Sequence, residues 1–204
     1  MMRSINTLNK VFVHLQILIL LFLPSYVYSE NNLASFILRN YESNQLPVVG
    51  NINAKYTIVE FFDYRCSYCS KQAKDYQTLL TENSDVKIIY VEWPIFGEIS
   101  NTASNIAILV WNEFPDRYFE VHNEFMKLGS RMKRDNIISM LDSLGLNGMS
   151  LYEAGLNEIH KPTIENNFKL AKSLGLRGTP ASIVNDNIYP GYINYDTLKN
   201  LTSD

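Results

Sequence analysis

Residues 56–62, Tyr-Thr-Ile-Val-Glu-Phe-Phe, form a run rich in β-branched and aromatic side chains that ends four residues before a cysteine. A run of that kind fits a central strand, covered on both faces. A helix is predicted to open at the cysteines, with Cys69, Ala73, Tyr76 and Leu80 on one face. Residues 86–91, Val-Lys-Ile-Ile-Tyr-Val, make a second strand, stopped by Pro94 and Gly97. Strand, helix and strand in that order form a βαβ unit and imply a parallel pair. The chain therefore belongs among the α/β folds.

The next stretch changes character. Residues 100–175 carry no convincing strand, and their apolar residues recur at helical spacing. Ser100 is expected to cap a helix with Ala103, Ile106, Ala107, Val110 and Trp111 on its apolar face. Pro115 opens a second through Tyr118, Val121, Phe125 and Leu128. Ile137, Ile138, Leu141 and Leu144 mark a third, and Ser150 with Glu153 reads as a capping box for a fourth. Pro162 starts a fifth, ended by Gly175 as a left-handed cap. Strand character returns at residues 181–184, turns at Asp186-Asn187 and resumes at Ile188-Tyr189. A closing helix is expected from about Tyr195 to Leu201.

The N-terminus addresses the compartment. Arg3 and Lys10 give a positive start, residues 11–23 are apolar apart from His14 and Gln16, and Val27 and Ser29 suit a peptidase cut before Glu30. Thirteen helical residues rise roughly 20 Å, short of the ~30 Å hydrocarbon core. A cleaved signal peptide is the favoured reading. An uncleaved anchor is the alternative, because counting on through Tyr28 nearly spans. Removing residues 1–29 takes two basic residues and no acid, so the formal charge moves from −3 to −5. Such a balance offers no electrostatic footprint for nucleic acid.

Export sharpens the meaning of Cys66 and Cys69, the only two cysteines in the chain. At a helix N-terminus, unpaired amides and the macrodipole favour a thiolate at Cys66, and Cys69 lies one turn on. The reading is a redox pair, with Cys66 the exposed nucleophile and Cys69 the more buried resolving thiol. Two readings compete. A structural disulfide of this spacing closes a very short loop and constrains the unfolded chain little. A zinc site needs two further ligands, and outside the leader only His122 and His160 are available. His122 falls in the apolar stripe of its helix, as a core histidine does. No haem, flavin, nucleotide or metal signature is present, so no cofactor is expected.

Phe61-Phe62-Asp63-Tyr64 before Cys66-x-Tyr68-Cys69, together with Gly178-Thr179-Pro180 before the late strand, resembles the DsbA-like thiol-disulfide oxidoreductases. The resemblance runs from about Val48 onward and implies a thioredoxin-like fold with an inserted all-α helical domain, in the bacterial periplasm. The corresponding division is a signal peptide (1–29), an N-terminal extension (30–47), a first thioredoxin-like part (48–98), a helical insertion (99–170) and a second thioredoxin-like part (171–204). Thr179-Pro180 matches the family's cis-proline loop, which lies beside the active-site disulfide and binds extended substrate. Glu60 matches the family's buried acid, which helps move the proton of the resolving thiol. The other reading of Glu60 is an ion pair with Lys55 or Lys87.

Ser67-Tyr68 departs from the strongest oxidases of the family, which carry Pro-His there. Tyrosine adds no positive charge beside the thiolate, and with Thr179 before the proline it looks more like the isomerase and reductase relatives. Those relatives usually carry a long N-terminal dimerisation region, whereas only residues 30–47 precede this core. The expectation is a monomeric periplasmic oxidase. It gives its Cys66–Cys69 disulfide to reduced exported proteins and is reoxidised by a DsbB-like membrane partner. The alternatives are an isomerase or reductase of the same fold, or a redox-inactive helper that binds unfolded peptides.

Overall fold

A computed structural model describes Leu33, Ala34, Ile37 and residues 46–203. The expected signal peptide, and most of the N-terminal extension (30–47), lie outside the described residues; Leu33, Ala34 and Ile37 are helical. The run at 56–62 is strand β2 (Tyr56–Phe62), the middle of five. It pairs in parallel with β3 (Val86–Glu92), so that Ile58, Glu60 and Phe62 stand beside Ile88, Tyr90 and Glu92. On its other edge it pairs antiparallel with β4 (Ala181–Val184), which places Glu60 beside Ser182. The outer strands are β1 (Val48–Gly50), antiparallel to β3, and β5 (Asn187–Pro190), antiparallel to β4. The sheet order is β1-β3-β2-β4-β5.

Strand alternation splits the core into two layers. Ile58, Phe62, Ile88, Tyr90 and Val184 face helix α1 (Ser67–Glu82), which buries Cys69, Gln72, Ala73, Tyr76 and Leu79. Leu79, rather than the expected Leu80, completes that face, and Leu80 is only partly buried. Helices α2 (Glu98–Glu113), α3 (Tyr118–Leu128), α4 (Arg134–Ser143) and α5 (Gly148–Leu156) continue the same core, and α7 (Tyr195–Leu201) closes it through Leu198. Val59, Phe61, Ile89, Val91 and Ile183 face the other way. They pack with Ala34, Ile37, Trp93 and with Ala171 of α6 (Lys161–Ser173). No described strand lies between Glu92 and Ala181, so the helices interrupt the sheet as one insertion.

Three local expectations are corrected. Helix α2 begins at Glu98 with Gly97 as its cap, because the Ser100 hydroxyl is spent on Asp63 at 2.8 Å. Helix α5 is capped by Asn147, whose side chain accepts from the Ser150 amide at 3.0 Å; Ser150 is therefore the capped residue, not the cap. The β4–β5 turn is Asn185-Asp186, one residue earlier than predicted, with φ of 47° and 70°. Asn and Asp tolerate that left-handed pair, and it suits the twist of a two-residue hairpin. Gly175 behaves as expected: at φ 70° it ends α6, with Leu176 N–H on the Ala171 carbonyl and Gly175 N–H on Lys172, both at 3.0 Å.

Candidate active site

Cys66 caps α1. Its extended backbone (φ −77°, ψ 118°) turns the chain into the helix, and its Sγ accepts the Cys69 amide at 3.3 Å. A sulfur therefore sits where a serine or aspartate oxygen normally does, at the positive end of a sixteen-residue helix. Across from it the Thr179 carbonyl lies 3.4 Å from the same Sγ, and the Thr179–Pro180 peptide is cis. The Thr179 Oγ1 is buried with no hydrogen-bond partner among the described residues, which leaves a hydroxyl donor beside the thiol.

The two thiols, both in reduced form, have opposite surroundings. The Cys69 thiol next to Cys66, together with Thr179 and the helix amides, outweighs burial and pulls Cys66 down to about 6. Burial pushes Cys69 far up, helped by its hydrogen bond to Cys66 and by the charge of Glu60. The expected exposed nucleophile is in fact buried, with Cys66 only 6% exposed, and Cys69 is, as expected, the more buried of the two. Cys66 is thus built to ionise and Cys69 to keep its proton.

Glu60 lies on the same face of β2, in a row with Tyr90 and Ser182. It is fully buried, and among the described residues neither carboxyl oxygen has a hydrogen bond. Burial, then the neighbouring Cys66 and Glu92, raise its pKa well above the usual carboxylate range. The ion-pair reading is overturned: Lys87 donates to the Ile52 carbonyl at 2.7 Å, Lys55 lies over the Tyr56 ring, and neither hydrogen-bonds Glu60. Ser67 and Tyr68 are exposed, and the Tyr68 ring sits 6.5 Å from that of Tyr192.

The structure adds residues that the sequence did not flag. Asp63 accepts from the Arg65 amide, the Phe96 amide and the Ser100 hydroxyl at 2.7–2.9 Å, tying the catalytic loop to the start of α2. Glu92 is a second buried acid. It accepts from Tyr64 at 2.9 Å, Ser104 at 2.7 Å and Tyr118 at 3.4 Å. Burial outweighs these bonds and moves it up to about 8. An acid inside an apolar strand was the signal used for Glu60, and it applies equally to Glu92, which lay one residue beyond the predicted strand end. His122 is buried as expected but only half satisfied. Its Nδ1 meets the Tyr64 hydroxyl at 3.3 Å, its Nε2 has no partner among the described residues, and burial pushes it down to about 3. Among the described residues no group of three or more His, Cys, Asp or Glu side chains could hold a metal ion.

A thioredoxin-like sheet, a helical insertion and a Cys-x-x-Cys pair at a helix start facing a cis-proline define a thiol-disulfide oxidoreductase. The family model described as a DSBA-like thioredoxin domain matches residues 57–202, and the chain belongs to that family. It is 26% identical over 163 residues to disulfide bond formation protein D of Bacillus subtilis (strain 168), covering 75% of this chain and 73% of that protein. The catalytic domain of Proteus mirabilis ScsC superposes with a TM-score of 0.73 at 29% identity, covering 83% of this chain and 94% of that one. A periplasmic thioredoxin-like protein from Salmonella enterica serovar Typhimurium gives a TM-score of 0.71 at 29% identity, covering 81% and 92% respectively.

Proposed function

We propose that the chain is an exported dithiol oxidase that forms disulfides in other exported proteins through Cys66 and Cys69. The observation that carries this reading is the division of labour between the thiols, with Cys66 ionising near 6 and Cys69 holding its proton. A thiolate that is stabilised in the reduced form makes the corresponding disulfide more oxidising. A substrate thiolate attacks Cys66 of the disulfide and expels Cys69, giving a mixed disulfide. The second substrate thiolate attacks the substrate's own sulfur in that mixed disulfide and expels Cys66 as a thiolate. Two electrons pass to the enzyme and the substrate leaves as a disulfide.

Cys69 leaves as a thiolate in a buried site that disfavours the charge, so it needs a proton. Glu60, whose hold on its proton burial strengthens and whose carboxyl has no hydrogen-bond partner among the described residues, is the group to which this reading assigns that proton. Thr179 and Pro180 offer backbone to an extended substrate, and Ser67-Tyr68 face solvent at its approach. The N-terminal leader supports a periplasmic location, with a membrane disulfide carrier restoring the Cys66–Cys69 bond. Among the described residues no helix is long and apolar enough to cross a membrane.

The test is the equilibrium of the Cys66–Cys69 couple with glutathione, joined to trapping with Cys69→Ser. An oxidase gives a potential well above the roughly −270 mV of a thioredoxin couple. Its Cys69→Ser form accumulates a mixed disulfide on Cys66. A value near thioredoxin's, or trapping through Cys66→Ser instead, overturns the assignment.

A further inference from the structure

The loop that ends in the cis-proline has a second side. Between α6 and the start of the β3–α2 loop lies an open groove of about 480 Å³, with an apolar floor made by Trp93, Ile95 and Phe168. Ile95 and Phe168 are exposed, and the Trp93 and Phe168 rings meet edge to face at 6.3 Å. Lys169, Lys172 and Arg177 rim it, and among the described residues no acidic side chain lines it. All three cations are exposed, and none forms an ion pair among the described residues; Lys169 makes only a long 3.4 Å contact to Asn166. Three unpaired cations in one groove run against the chain's overall charge of −3.

One further observation bears on an occupant. A second cavity of about 550 Å³ shares Gly175, Leu176 and Arg177 with it and is lined also by Thr179 and Pro180, and the Thr179 carbonyl lies 3.4 Å from the Cys66 Sγ. The Trp93 amide, in turn, bonds the Phe62 carbonyl at 2.9 Å, so the groove floor is fixed to the end of the catalytic strand.

We propose that this groove seats an acidic, apolar polypeptide segment flanking the cysteine that reacts with Cys66. An aromatic or aliphatic side chain lies on Trp93 and Phe168, and carboxylates on either side of it meet Lys169, Lys172 and Arg177. The groove thereby selects among thiol substrates by the residues around their cysteine. This rests on the oxidoreductase reading above and names the polypeptide chemistry that the site prefers.

The test uses the full chain in its oxidised form and single-cysteine peptides that are identical except for a Glu-Phe-Glu or Lys-Phe-Lys block, placed before or after the cysteine. The rate of attack on the Cys66–Cys69 bond is read at low and high salt, with 2-mercaptoethanol as a neutral thiol that needs no groove. The expected result is that one placement of the acidic block reacts about tenfold faster than its basic counterpart, and that the gap closes at high salt. In a Lys169→Glu/Lys172→Glu chain the preference inverts toward the basic block while the 2-mercaptoethanol rate is unchanged. Equal rates for both peptides in the natural chain, or a preference that survives the charge reversal, overturn the proposal. So does a charge reversal that changes the sedimentation of the protein, which makes the groove a contact between copies. Failure of 2-mercaptoethanol to reduce the pair overturns the redox reading itself, a separate outcome.

Discussion

Replacing Cys69 by alanine isolates what holds the Cys66 thiolate. The Cys69 thiol is the largest single influence that lowers Cys66 from 9.0 to about 6, ahead of Thr179 and the helix amides. A hydrogen bond to a charged group contributes about 1.5–3 kcal/mol, and a thiol, being a weak donor, belongs at the low end. At 1.36 kcal/mol per tenfold change, its loss moves the Cys66 ionisation midpoint from about 6 to roughly 7. Cys69→Ser keeps a hydroxyl donor and stays near 6. The assay is the rate of iodoacetamide alkylation from pH 4 to 10, with a single reactive sulfur in each variant. The same shift sets how the reduced fold responds to pH. A depressed folded-state pKa contributes stability that is complete above 9.0 and is lost as pH falls through about 6. At pH 7 it amounts to about 1 kcal/mol after solvent screening at the mouth of the site. An alanine variant that still titrates at 6 refutes the role of the Cys69 thiol, and a natural chain that titrates near 9 refutes the whole account.

Other changes probe the surroundings. Glu60→Gln is expected to slow substrate attack on the Cys66–Cys69 disulfide, the step that expels Cys69, by about tenfold or more and to flatten its pH profile, while leaving Cys66 alkylation alone. An unchanged rate and profile removes Glu60 from the proton path. Glu92, raised by burial to about 8, favours folding most below its ordinary 4.5, and that contribution is lost as pH climbs through 8. Urea denaturation across that window should show the decline, and Glu92→Gln should abolish it. Tyr64→Phe takes away the 2.9 Å bond to Glu92 and should cost roughly 1–3 kcal/mol, read as a lower urea midpoint. At Gly155 an added methyl group would come within 2.6 Å of Ile106 and 2.9 Å of the Thr102 carbonyl. Gly155→Ala should therefore destabilise by about 1–3 kcal/mol while leaving the alkylation midpoint in place.

The βαβ unit and its cysteines were legible because both depend on neighbours in sequence: a strand of period two, a sulfur at a helix start and a proline before a strand. What escaped depends on partners far along the chain. Gln72 looks like a surface residue of α1, yet it is buried and exchanges two bonds with the backbone of Ile193, at 2.8 and 3.0 Å. Ser100 and Ser150 each carry the signature of a cap. Asp63 recruits the first and Asn147 displaces the second, and neither competition is visible locally. Both Asn185 and Asp186 tolerate a left-handed backbone, so composition alone could not set the turn's register. Glu92 escaped for a narrower reason, since the strand was ended at Val91 and the acid fell outside the buried run.

The three bonds on Asp63 have a consequence for how this protein can be cut. Together with Ser70 donating to the Met126 carbonyl at 2.7 Å, and Tyr64 and Ser104 meeting on Glu92, they fasten the first turn of α1 to α2 and α3. The helices are therefore not a detachable cassette resting on a self-sufficient redox core. A shortened chain that joined Trp93 directly to α6 would keep every strand and both cysteines, yet take the Ser100 hydroxyl from Asp63 and the Ser104 and Tyr118 hydroxyls from Glu92.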